Sequence, residues 1–308
     1  MQRQLTLISS AQIAWQAIRV KTLLVAFAVI ILGQSLAWHD LKHEHNQSLD
    51  YFLGLIILIC CLFLQISVNL ANDYFDGLSG IDNAERVGPI RAIQSGLIKP
   101  STMRYAIFFT MFIACICGLY LIIKGGWAFL FLGLLSIFGV YAYSGGKKPL
   151  ASLGLGEIAV FLYFGYLAIM ASYVLQTHEF NTQLFFPATQ MGLLVAAIML
   201  INNIRDIKSD KAAGKHTLAV RIGEHNARTL YCMFIIFPFV LIPFDNYQPY
   251  SNFLLLPCAI FLCIKIYKTK IMNQKKQIQG ESFNKYLALT SLLVLAWSVF
   301  YSIQLIIF

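Results

Sequence analysis

Two short stretches of the chain repeat acidic and amide side chains at helical spacing. They hold six of the fourteen Asp and Glu residues, a concentration that chance placement explains poorly. In each stretch an Asn is followed four residues later by an Asp, and the second stretch adds another Asp four residues further on. Positions four apart share one face of a helix, so each stretch predicts an acidic ridge that faces a cavity. The residues are Asn72, Asp73, Asp76, Asp82 and Glu85 in the first stretch, and Asn202, Asp206 and Asp210 in the second.

This pattern of side chains predicts chemistry with a metal ion and phosphate. Carboxylates that converge in a poorly solvated cavity repel one another unless cations hold them together. Oxygen ligands without accompanying His or Cys suit Mg²⁺ or Ca²⁺, and Mg²⁺ is the ion that commonly joins carboxylates to phosphate oxygens. Basic side chains between the acids could bind the phosphates themselves. The basic candidates are Arg86 and Arg91 after the first stretch, and Arg205, Lys208, Lys211 and Lys215 in the second.

A third polar segment, residues 141–149, adds candidates for substrate binding. It contains Tyr141 and Lys147, and Glu157 follows near the start of an apolar stretch. A loop on the inner side of a membrane is basic whatever its function, so a topological role for Lys147 stays open beside a ligand role. The histidine-containing run 39–45 matches no metal-site spacing, and we interpret it as a solvated loop.

The elements that must position these residues are membrane-spanning helices. The chain is 58% hydrophobic and 12% charged, whereas roughly a quarter of the residues of a soluble domain are charged. A helix needs about 20 mostly apolar residues to cross a bilayer, because its backbone polar groups must be satisfied within the segment. We therefore predict an all-α bundle of nine transmembrane helices forming a single domain over residues 1–308. The predicted spans are 22–38, 51–71, 105–123, 126–143, 156–176, 187–203, 229–244, 252–267 and 287–307.

The distribution of basic residues predicts the orientation of this bundle. With the N-terminus in the cytoplasm, all of the 23 Lys and Arg residues except Lys42 and Lys124 fall on the cytoplasmic side, as the positive-inside rule requires. The net charge of +9 therefore reflects topology, and we expect no nucleic-acid partner. Both acidic stretches then lie at the cytoplasmic ends of their spans, the second and the sixth.

With these motifs and nine predicted spans, the sequence resembles the UbiA superfamily of intramembrane prenyltransferases over nearly its whole length. It looks most like the branch that prenylates 1,4-dihydroxy-2-naphthoate in menaquinone synthesis. Where the wider superfamily has an acid in the first motif this chain has Gly80, and the branch pattern assigns that place to Asp82. The motifs that carry the resemblance are Asn72-Asp73-Tyr74-x-Asp76, Arg86-Val87-Gly88-Pro89-x-Arg91, Asn202-Asn203-x-Arg205-Asp206-x-x-x-Asp210, Gly214-Lys215-x-Thr217-Leu218 and Gly154-Leu155-Gly156-Glu157.

The resemblance implies a Mg²⁺-dependent enzyme of the bacterial cytoplasmic (inner) membrane, with its active site toward the cytoplasm. The enzyme would transfer a polyprenyl group from polyprenyl diphosphate to 1,4-dihydroxy-2-naphthoate with loss of CO₂, and no obligate protein partner is implied. The implied metal ligands are Asp73, Asp76, Asp82, Asp206 and Asp210, and Arg205 joins Asp76, Asp206 and Asp210 as a catalytic candidate. The substrate-binding candidates are Asn72, Asn202, Arg86, Arg91, Tyr141, Lys147, Glu157, Lys208 and Lys215.

Two other functions compete with this interpretation. The first keeps the superfamily and changes the acceptor to 4-hydroxybenzoate or homogentisate. The second is a cation-coupled transporter, which predicts acids near the middle of the membrane on broken helices. The acids here fall at helix ends beside Arg and Lys, which favours the enzyme.

Overall fold

The computed structural model describes residues 15, 17–44, 46–78, 92–146, 149–269 and 276–308, except for the side chains of Lys21 and 276–281. Predictions made for Asp82, Glu85, Arg86, Arg91 and Lys147 lie outside these ranges. The regular secondary structure of the described part is entirely helical and includes no strand. Nine helices in it are long and apolar enough to cross a membrane, which confirms the predicted bundle. They are α1 (Val20–Glu44), α2 (Tyr51–Leu78), α3 (Pro100–Gly125), α4 (Trp127–Ser144), α5 (Gly156–Thr177), α6 (Phe185–Ala212), α7 (Leu218–Leu241), α8 (Leu256–Lys268) and α9 (Lys276–Ile307).

Most helices extend past the apolar spans that the sequence predicts. Hydropathy falls at the first polar side chains, while the backbone hydrogen bonds of a helix continue through them. Both acidic stretches are therefore helical at least in part, since α2 reaches Leu78 and α6 reaches Ala212. The same extension makes the interpretation of residues 39–44 as a solvated loop wrong, because α1 continues to Glu44 and buries Asp40.

Helix α6 forms the centre of the bundle. In an apolar stretch of 18 residues within each helix, 72% of the residues are buried for α6, against 22% for α3 and 17% for α4. It packs against α5, α7 and α9, so an acidic ridge on α6 has a rigid base. By contrast, α3 and α4 form an outer hairpin that turns at Gly126, whose φ of 79° lies in the left-handed region that favours glycine.

Helix α5 contains a π-helical segment, Phe161–Leu167, of the kind often found at functional sites. In this segment Gly165 lies directly against α6. A Cβ atom at Gly165 would lie 2.6 Å from the Ala188 carbonyl oxygen and 2.8 Å from the Gly192 Cα. The two backbones therefore touch, which fixes α5 on the central helix.

The two ends of the bundle have different polar contents. We call the end where α2, α4 and α6 finish the motif end, and the opposite end the far end. At the far end Asp40 of α1 is 3% exposed and accepts hydrogen bonds from Tyr173, Tyr247 and Asn181 at 2.5, 2.8 and 3.0 Å. Asp245 accepts from the Tyr301 hydroxyl at 2.8 Å and from the backbone amide of Tyr247 at 3.1 Å. We call this group the far-end cluster: Asp40, Tyr173, Asn181, Asp245, Tyr247 and Tyr301.

Candidate active site

A cavity of about 570 Å³ lies among α2, α3, α4, α5 and α6. This volume falls in the range of small-molecule sites, roughly 300–1,000 Å³. Most of its wall is apolar, and its motif end is polar. The polar residues that line the motif end include Arg19, Asn69, Asn72, Asp76, Ser144, Ser152, Asn202, Asn203, Asp206, Ser209, Asp210, Lys215 and Thr217.

The first ridge, on α2, is organised around Asn72. The Arg19 guanidinium donates to the Asn72 side-chain oxygen at 2.6 Å. The Asn72 amide nitrogen donates to the Ser144 hydroxyl at 2.9 Å and to Asp76 at 3.3 Å. Asn72 thus ties the chain before α1 and the end of α4 to the Asp76 carboxylate, which faces the cavity one helical turn further on.

Lys215 joins the first ridge to the second. Its Nζ lies 3.7 Å from an oxygen of Asp76. Its backbone amide donates to the Asp210 carbonyl at 2.9 Å, after a turn in which Gly214 has a φ of 70°. The connection after α6 therefore folds back toward α2 and brings a cation to Asp76 on the facing helix.

The second ridge, on α6, presents Asn202, Asp206 and Asp210 to the same cavity. Arg205 was predicted to act on substrate, but the structure places it behind the ridge. Its guanidinium grips both oxygens of Asp206, at 2.8 and 2.6 Å, and donates to Asn284 of α9 at 2.7 Å. Neighbouring residues on a helix point about 100° apart, which is why Arg205 leaves the cavity face. Arg205 holds Asp206 in place.

The predicted metal ligand Asp73 also lies away from the cavity lining. Its carboxylate accepts hydrogen bonds from the backbone amides of Ala92 at 3.1 Å and Ile93 at 3.4 Å. Asp73 is 4% exposed. This placement favours a contact within the fold over the predicted metal contact.

Three predicted substrate ligands likewise do not line the cavity. Glu157 is 2% exposed and accepts from the Asn203 amide at 2.7 Å, while its other oxygen has no hydrogen-bond partner in the described chain. Tyr141 is 56% exposed and packs its ring edge-on against Phe75. Lys208 is exposed. Because Asn203 lines the cavity and donates to Glu157, it lies between Glu157 and the cavity.

Some cavity residues escaped the sequence analysis. Arg19 precedes α1, and its basic charge was assigned to membrane topology, although its φ of 54° is unusual for a residue other than glycine. Tyr143 lines the cavity in place of Tyr141, with its hydroxyl 3.0 Å from the sulfur of Met199. Ser144 lies in the polar segment 141–149 and could have been chosen from it. Nothing in the local sequence indicates the contact of Arg19 with Asn72.

A second cavity of about 410 Å³ adjoins the motif end of the first. The two cavities share Asp76, Ser144, Pro149, Ser152 and Lys215 in their linings. Asp76 and Lys215 therefore lie where the two cavities meet.

The apolar wall of the main cavity reaches the outer surface between α3 and α4. Leu119 and Leu134 line the cavity and are 62% and 55% exposed, on outward-facing stripes of their helices. Gly118 and Gly133 line it too, and a Cβ atom at either would meet no heavy atom within 4 Å. An apolar chain held at the ridges therefore has open space toward this side.

The ridges supply the hard oxygen donors that suit Mg²⁺, namely the carboxylates of Asp76, Asp206 and Asp210 and the amide oxygen of Asn202. In the part of the chain that the structure covers, no three His, Cys, Asp or Glu side chains approach closely enough to hold an ion by themselves. The predicted ligands thus do not form a single closed cluster, because they project from two helices into a shared cavity. The donor set fits a metal whose remaining ligands come from a bound molecule.

The sequence profile of the UbiA prenyltransferase family matches residues 23–283. The chain belongs to this family, which confirms the predicted resemblance. It is 40% identical over 245 residues to the 1,4-dihydroxy-2-naphthoate octaprenyltransferase of Escherichia coli (strain K12), covering 78% of each chain. It is 36% identical over 222 residues to the enzyme of the same name from Bacillus subtilis (strain 168), covering 72% of this chain and 70% of the relative.

Solved structures share the fold at low sequence identity. A UbiA homolog from Archaeoglobus fulgidus bound to DMAPP and Mg²⁺ superposes with a TM-score of 0.64 at 14% identity, covering 93% of this chain and 99% of that one. A digeranylgeranylglyceryl phosphate synthase superposes with a TM-score of 0.60 at 16% identity, covering 97% of this chain and 99% of that one. The nine-helix architecture is therefore that of the family.

Proposed function

We propose that this protein transfers a polyprenyl group from polyprenyl diphosphate to 1,4-dihydroxy-2-naphthoate, with loss of CO₂, and so makes demethylmenaquinol for menaquinone synthesis. The observation that carries the proposal is a single cavity that combines two acidic ridges at one end with an apolar wall elsewhere. The identity of the acceptor in this proposal comes from the relatives that are named 1,4-dihydroxy-2-naphthoate octaprenyltransferases. The cavity supplies places for a diphosphate and for a long apolar chain.

The diphosphate would lie at the motif end, between the ridges. Mg²⁺ would be held there by Asp76, Asp206 and Asp210, with Asn202 as a neutral oxygen donor; when bound, it would offset the negative charge of the diphosphate. The outer residues Asp82, Arg86 and Arg91 stay predictions for the same site. Arg19 and Lys215 line this end of the cavity beside Asp76.

The residues of the cavity favour breakage of the carbon–oxygen bond of the donor. Arg19 and Lys215 stabilise the negative charge that grows on the departing diphosphate, because they are already fixed by Asn72 and Asp76. The allylic cation left behind would lie in a cavity lined by Tyr143 and Phe164, and aromatic rings favour a nearby cation. The apolar wall keeps water from the cation.

The acceptor would enter through the second cavity at the motif end. The ring carbon that bears its carboxylate attacks the allylic carbon and forms the new carbon–carbon bond. The electron pair of the bond to the carboxyl carbon then returns to the ring as CO₂ leaves, and the diphosphate leaves separately. The prenyl chain extends along the apolar wall toward Gly118 and Gly133.

The motif end would face the cytoplasm of a bacterial cell, with the protein in the cytoplasmic membrane. The distribution of Lys and Arg supports this orientation. A protease-cleavable tag at the N-terminus tests it. We expect cleavage in inverted vesicles and protection in right-side-out vesicles, and the reverse pattern would contradict the orientation.

The acceptor is tested with purified protein, a long-chain polyprenyl diphosphate, Mg²⁺ and carboxyl-labelled 1,4-dihydroxy-2-naphthoate. We expect prenylated naphthoquinol and labelled CO₂ in equal amounts, both lost on chelation with EDTA. Parallel reactions contain 4-hydroxybenzoate or homogentisate, and Asp206→Asn protein serves as the matched inactive control. Turnover with one of these acceptors in place of the naphthoate would move the protein to another branch of the family. The absence of transfer to all three would contradict the proposed reaction.

A further inference from the structure

Helix α6 presents a second row of side chains to the main cavity, next to its acidic ridge. Val195, Met199 and Asn203 follow one another at intervals of four residues, so they share a helix face, and all three line the cavity. The ridge residue Asn202 lies about 100° around the helix from Asn203. This second row is apolar until it ends in one amide. Asn203 therefore lies where the apolar wall of the cavity meets its polar motif end.

A buried carboxylate holds the Asn203 side chain in one orientation. Asn203 Nδ2 donates to Glu157 at 2.7 Å, and the two residues are 6% and 2% exposed. A flip of the amide would bring its oxygen against the Glu157 carboxylate, and two acceptors cannot form a hydrogen bond. Glu157 thus determines which atom of the amide is available to other partners. That atom is Asn203 Oδ1.

The oxygen of this amide is an acceptor that still needs a donor. Among the residues that the structure describes, none donates to Asn203 Oδ1. A buried amide oxygen costs free energy unless it is hydrogen-bonded. Because Asn203 lines the cavity, a molecule bound there can supply the missing donor. The oxygens of a diphosphate are acceptors and do not serve this purpose, whereas a hydroxyl group does.

The side chains beside Asn203 suit an aromatic ring that carries such a hydroxyl. Met199 lies one turn before Asn203 on the same face, and its sulfur is 3.0 Å from the Tyr143 hydroxyl. Both Met199 and Tyr143 line the cavity. A thioether sulfur and a phenol ring make favourable contacts with aromatic rings. The second row therefore offers a soft apolar contact for a ring and a hydrogen-bond acceptor for its hydroxyl.

We propose that Asn203 binds a hydroxyl group of the aromatic acceptor and that Glu157 is the positioning residue that orients Asn203 for it. This inference rests on the proposed function and adds the contact that selects a hydroxylated ring. In 1,4-dihydroxy-2-naphthoate the hydroxyl at C1 bonds internally to the neighbouring carboxylate, so the hydroxyl at C4 is the free donor. Asn203 Oδ1 accepts the hydrogen bond from this C4 hydroxyl.

A pair of ligands tests the contact without turnover. Calorimetry compares binding of 1,4-dihydroxy-2-naphthoate with that of 1-hydroxy-2-naphthoate, which lacks the C4 hydroxyl, in the presence of Mg²⁺ and an unreactive polyprenyl thiolodiphosphate. We expect the wild-type protein to bind 1-hydroxy-2-naphthoate about tenfold more weakly, because the buried oxygen of Asn203 then stays unpaired. Asn203→Leu should bind the two naphthoates with equal affinity. Its Mg²⁺-dependent binding of the thiolodiphosphate should match that of the wild-type protein.

Substitutions at Glu157 test the positioning role. Glu157→Gln keeps an oxygen that accepts from Asn203 Nδ2, so the KM for the naphthoate should stay within about threefold of the wild-type value. Glu157→Leu removes that oxygen and frees the amide to rotate, so this KM should rise about tenfold, with kcat and the donor KM little changed. Rescue by Gln would show that Glu157 acts as an acceptor for Asn203 and needs no charge. A tenfold rise in Glu157→Gln would overturn the positioning role.

Asn181 provides the matched control at the far end of the bundle. Its Nδ2 also donates to a buried carboxylate, that of Asp40, at 3.0 Å. Asn181→Leu should lower the unfolding midpoint, as Asn203→Leu does, and leave the binding of both naphthoates unchanged. This comparison separates the loss of an amide–carboxylate pair from the loss of a substrate contact. If Asn203→Leu or Glu157→Leu does not fold, the two ligands on the wild-type protein and the KM of Glu157→Gln decide the proposal.

The outcomes distinguish this contact from the proposed function. Equal binding of the two naphthoates by a wild-type protein that prenylates 1,4-dihydroxy-2-naphthoate would overturn the contact alone. A preference that persists in Asn203→Leu would also overturn it. Loss of Mg²⁺-dependent donor binding in Asn203→Leu would make Asn203 part of the metal site and contradict the proposal. A wild-type protein that binds neither naphthoate and prenylates another acceptor would refute the proposed function, and this contact with it.

Discussion

Both ends of the bundle bury carboxylates, yet the two sets have different surroundings. At the far end Asp40 is 3% exposed, and at the motif end Asp76 is 8% exposed, so burial alone does not tell them apart. The oxygens of Asp40 accept hydrogen bonds from hydroxyl and amide donors in three separate parts of the chain. Asp76 faces a cavity, a lysine and another acidic helix. A buried acid that is enclosed by donors holds the fold together, and one that shares a cavity with other acids is available to a ligand.

The far-end cluster also shows how a buried acid avoids the need for a cation. Tyr247 serves both acids, since its hydroxyl donates to Asp40 and its backbone amide donates to Asp245. Burial raises the pKa of Asp245 to about 6, although the hydrogen bond from Tyr301 opposes this shift. Burial raises the pKa of Tyr247 far above its ordinary value, and the negative charge of Asp40 adds to the effect, so this side chain stays a donor. The motif-end acids also have partners, Asn72 and Lys215 for Asp76 and Arg205 for Asp206, but unlike Asp40 and Asp245 they line the main cavity.

The largest effect is expected from the cavity acids. Asp76→Ala or Asp206→Ala should lower the rate of prenyl transfer by at least about a hundredfold to a thousandfold, because stabilisation of the leaving group is lost. The thermal unfolding midpoint of Asp76→Ala in detergent should change little, whereas that of Asp206→Ala should fall, because Arg205 loses its buried carboxylate partner. Activity near the wild-type level in either variant would remove the motif end from the mechanism.

Arg205 should show a smaller effect of a different kind. Arg205→Lys removes the two-point grip on Asp206, which a lysine cannot reproduce. We expect activity to fall about tenfold to a hundredfold and the Mg²⁺ requirement to rise, as when a partner of a metal ligand is removed. The matched control is Arg228→Lys, a buried arginine that pairs with Glu224 and helix α8 carbonyls. Arg228→Lys should lower stability and leave the Mg²⁺ requirement unchanged. An equal rise of the Mg²⁺ requirement in both variants would contradict the specific role of Arg205 in holding Asp206.

A substitution in the far-end cluster should lower stability and leave the rate of prenyl transfer unchanged. Asp40→Ala leaves the buried hydroxyls of Tyr173 and Tyr247, and the partly buried amide of Asn181, without their acceptor, so the free energy of unfolding should fall by about 3 kcal/mol. Activity per folded molecule should be unchanged at a temperature where the variant stays folded. Denaturant unfolding in detergent measures the first quantity and the transfer assay the second. A selective loss of activity at full stability would show that the far end takes part in catalysis.

The smallest effect is a pH dependence of stability from Asp245. Its pKa is raised in the folded protein, so the folded state holds the proton more tightly than the unfolded chain. This side chain therefore lowers the free energy of unfolding as pH rises from 3.8 to about 6. Asp245→Asn should remove that dependence. Unfolding midpoints across this pH range measure it, with the exposed Glu179→Gln as control; parallel curves for wild type and Asp245→Asn would contradict the raised pKa.

The sequence predicted the fold well because each span carries its own hydropathy. It also predicted which residues of the ridges share a cavity, since Asn72 with Asp76, and Asn202 with Asp206 and Asp210, follow the helical repeat. Their roles with metal and substrate stay predictions. The same repeat puts Asp73 about 100° around the helix from Asn72, which agrees with its absence from the cavity lining; its role as a metal ligand stays a prediction.

The rest of the site depends on contacts between distant parts of the chain. Arg19 reaches Asn72 across 53 residues, and Arg205 is fixed by Asn284 across 79 residues. Local patterns contain no information about such pairs. The far-end cluster was missed for the same reason, because Asp40 finds its partners on α5 and in two connections beyond it. Side-chain type predicted which residues could do chemistry, and tertiary packing decided which ones face the cavity.

The most direct test is binding of an unreactive donor analogue, a polyprenyl thiolodiphosphate, measured by calorimetry with and without Mg²⁺. The variants Asp76→Asn and Asp206→Asn are compared with Asp40→Asn and with the wild-type protein at a temperature where all four are folded. We expect Mg²⁺-dependent binding in the wild-type and Asp40→Asn proteins, and its loss in the two motif-end variants. Equal binding by all four proteins, or a loss confined to Asp40→Asn, would contradict the division of roles between the two ends.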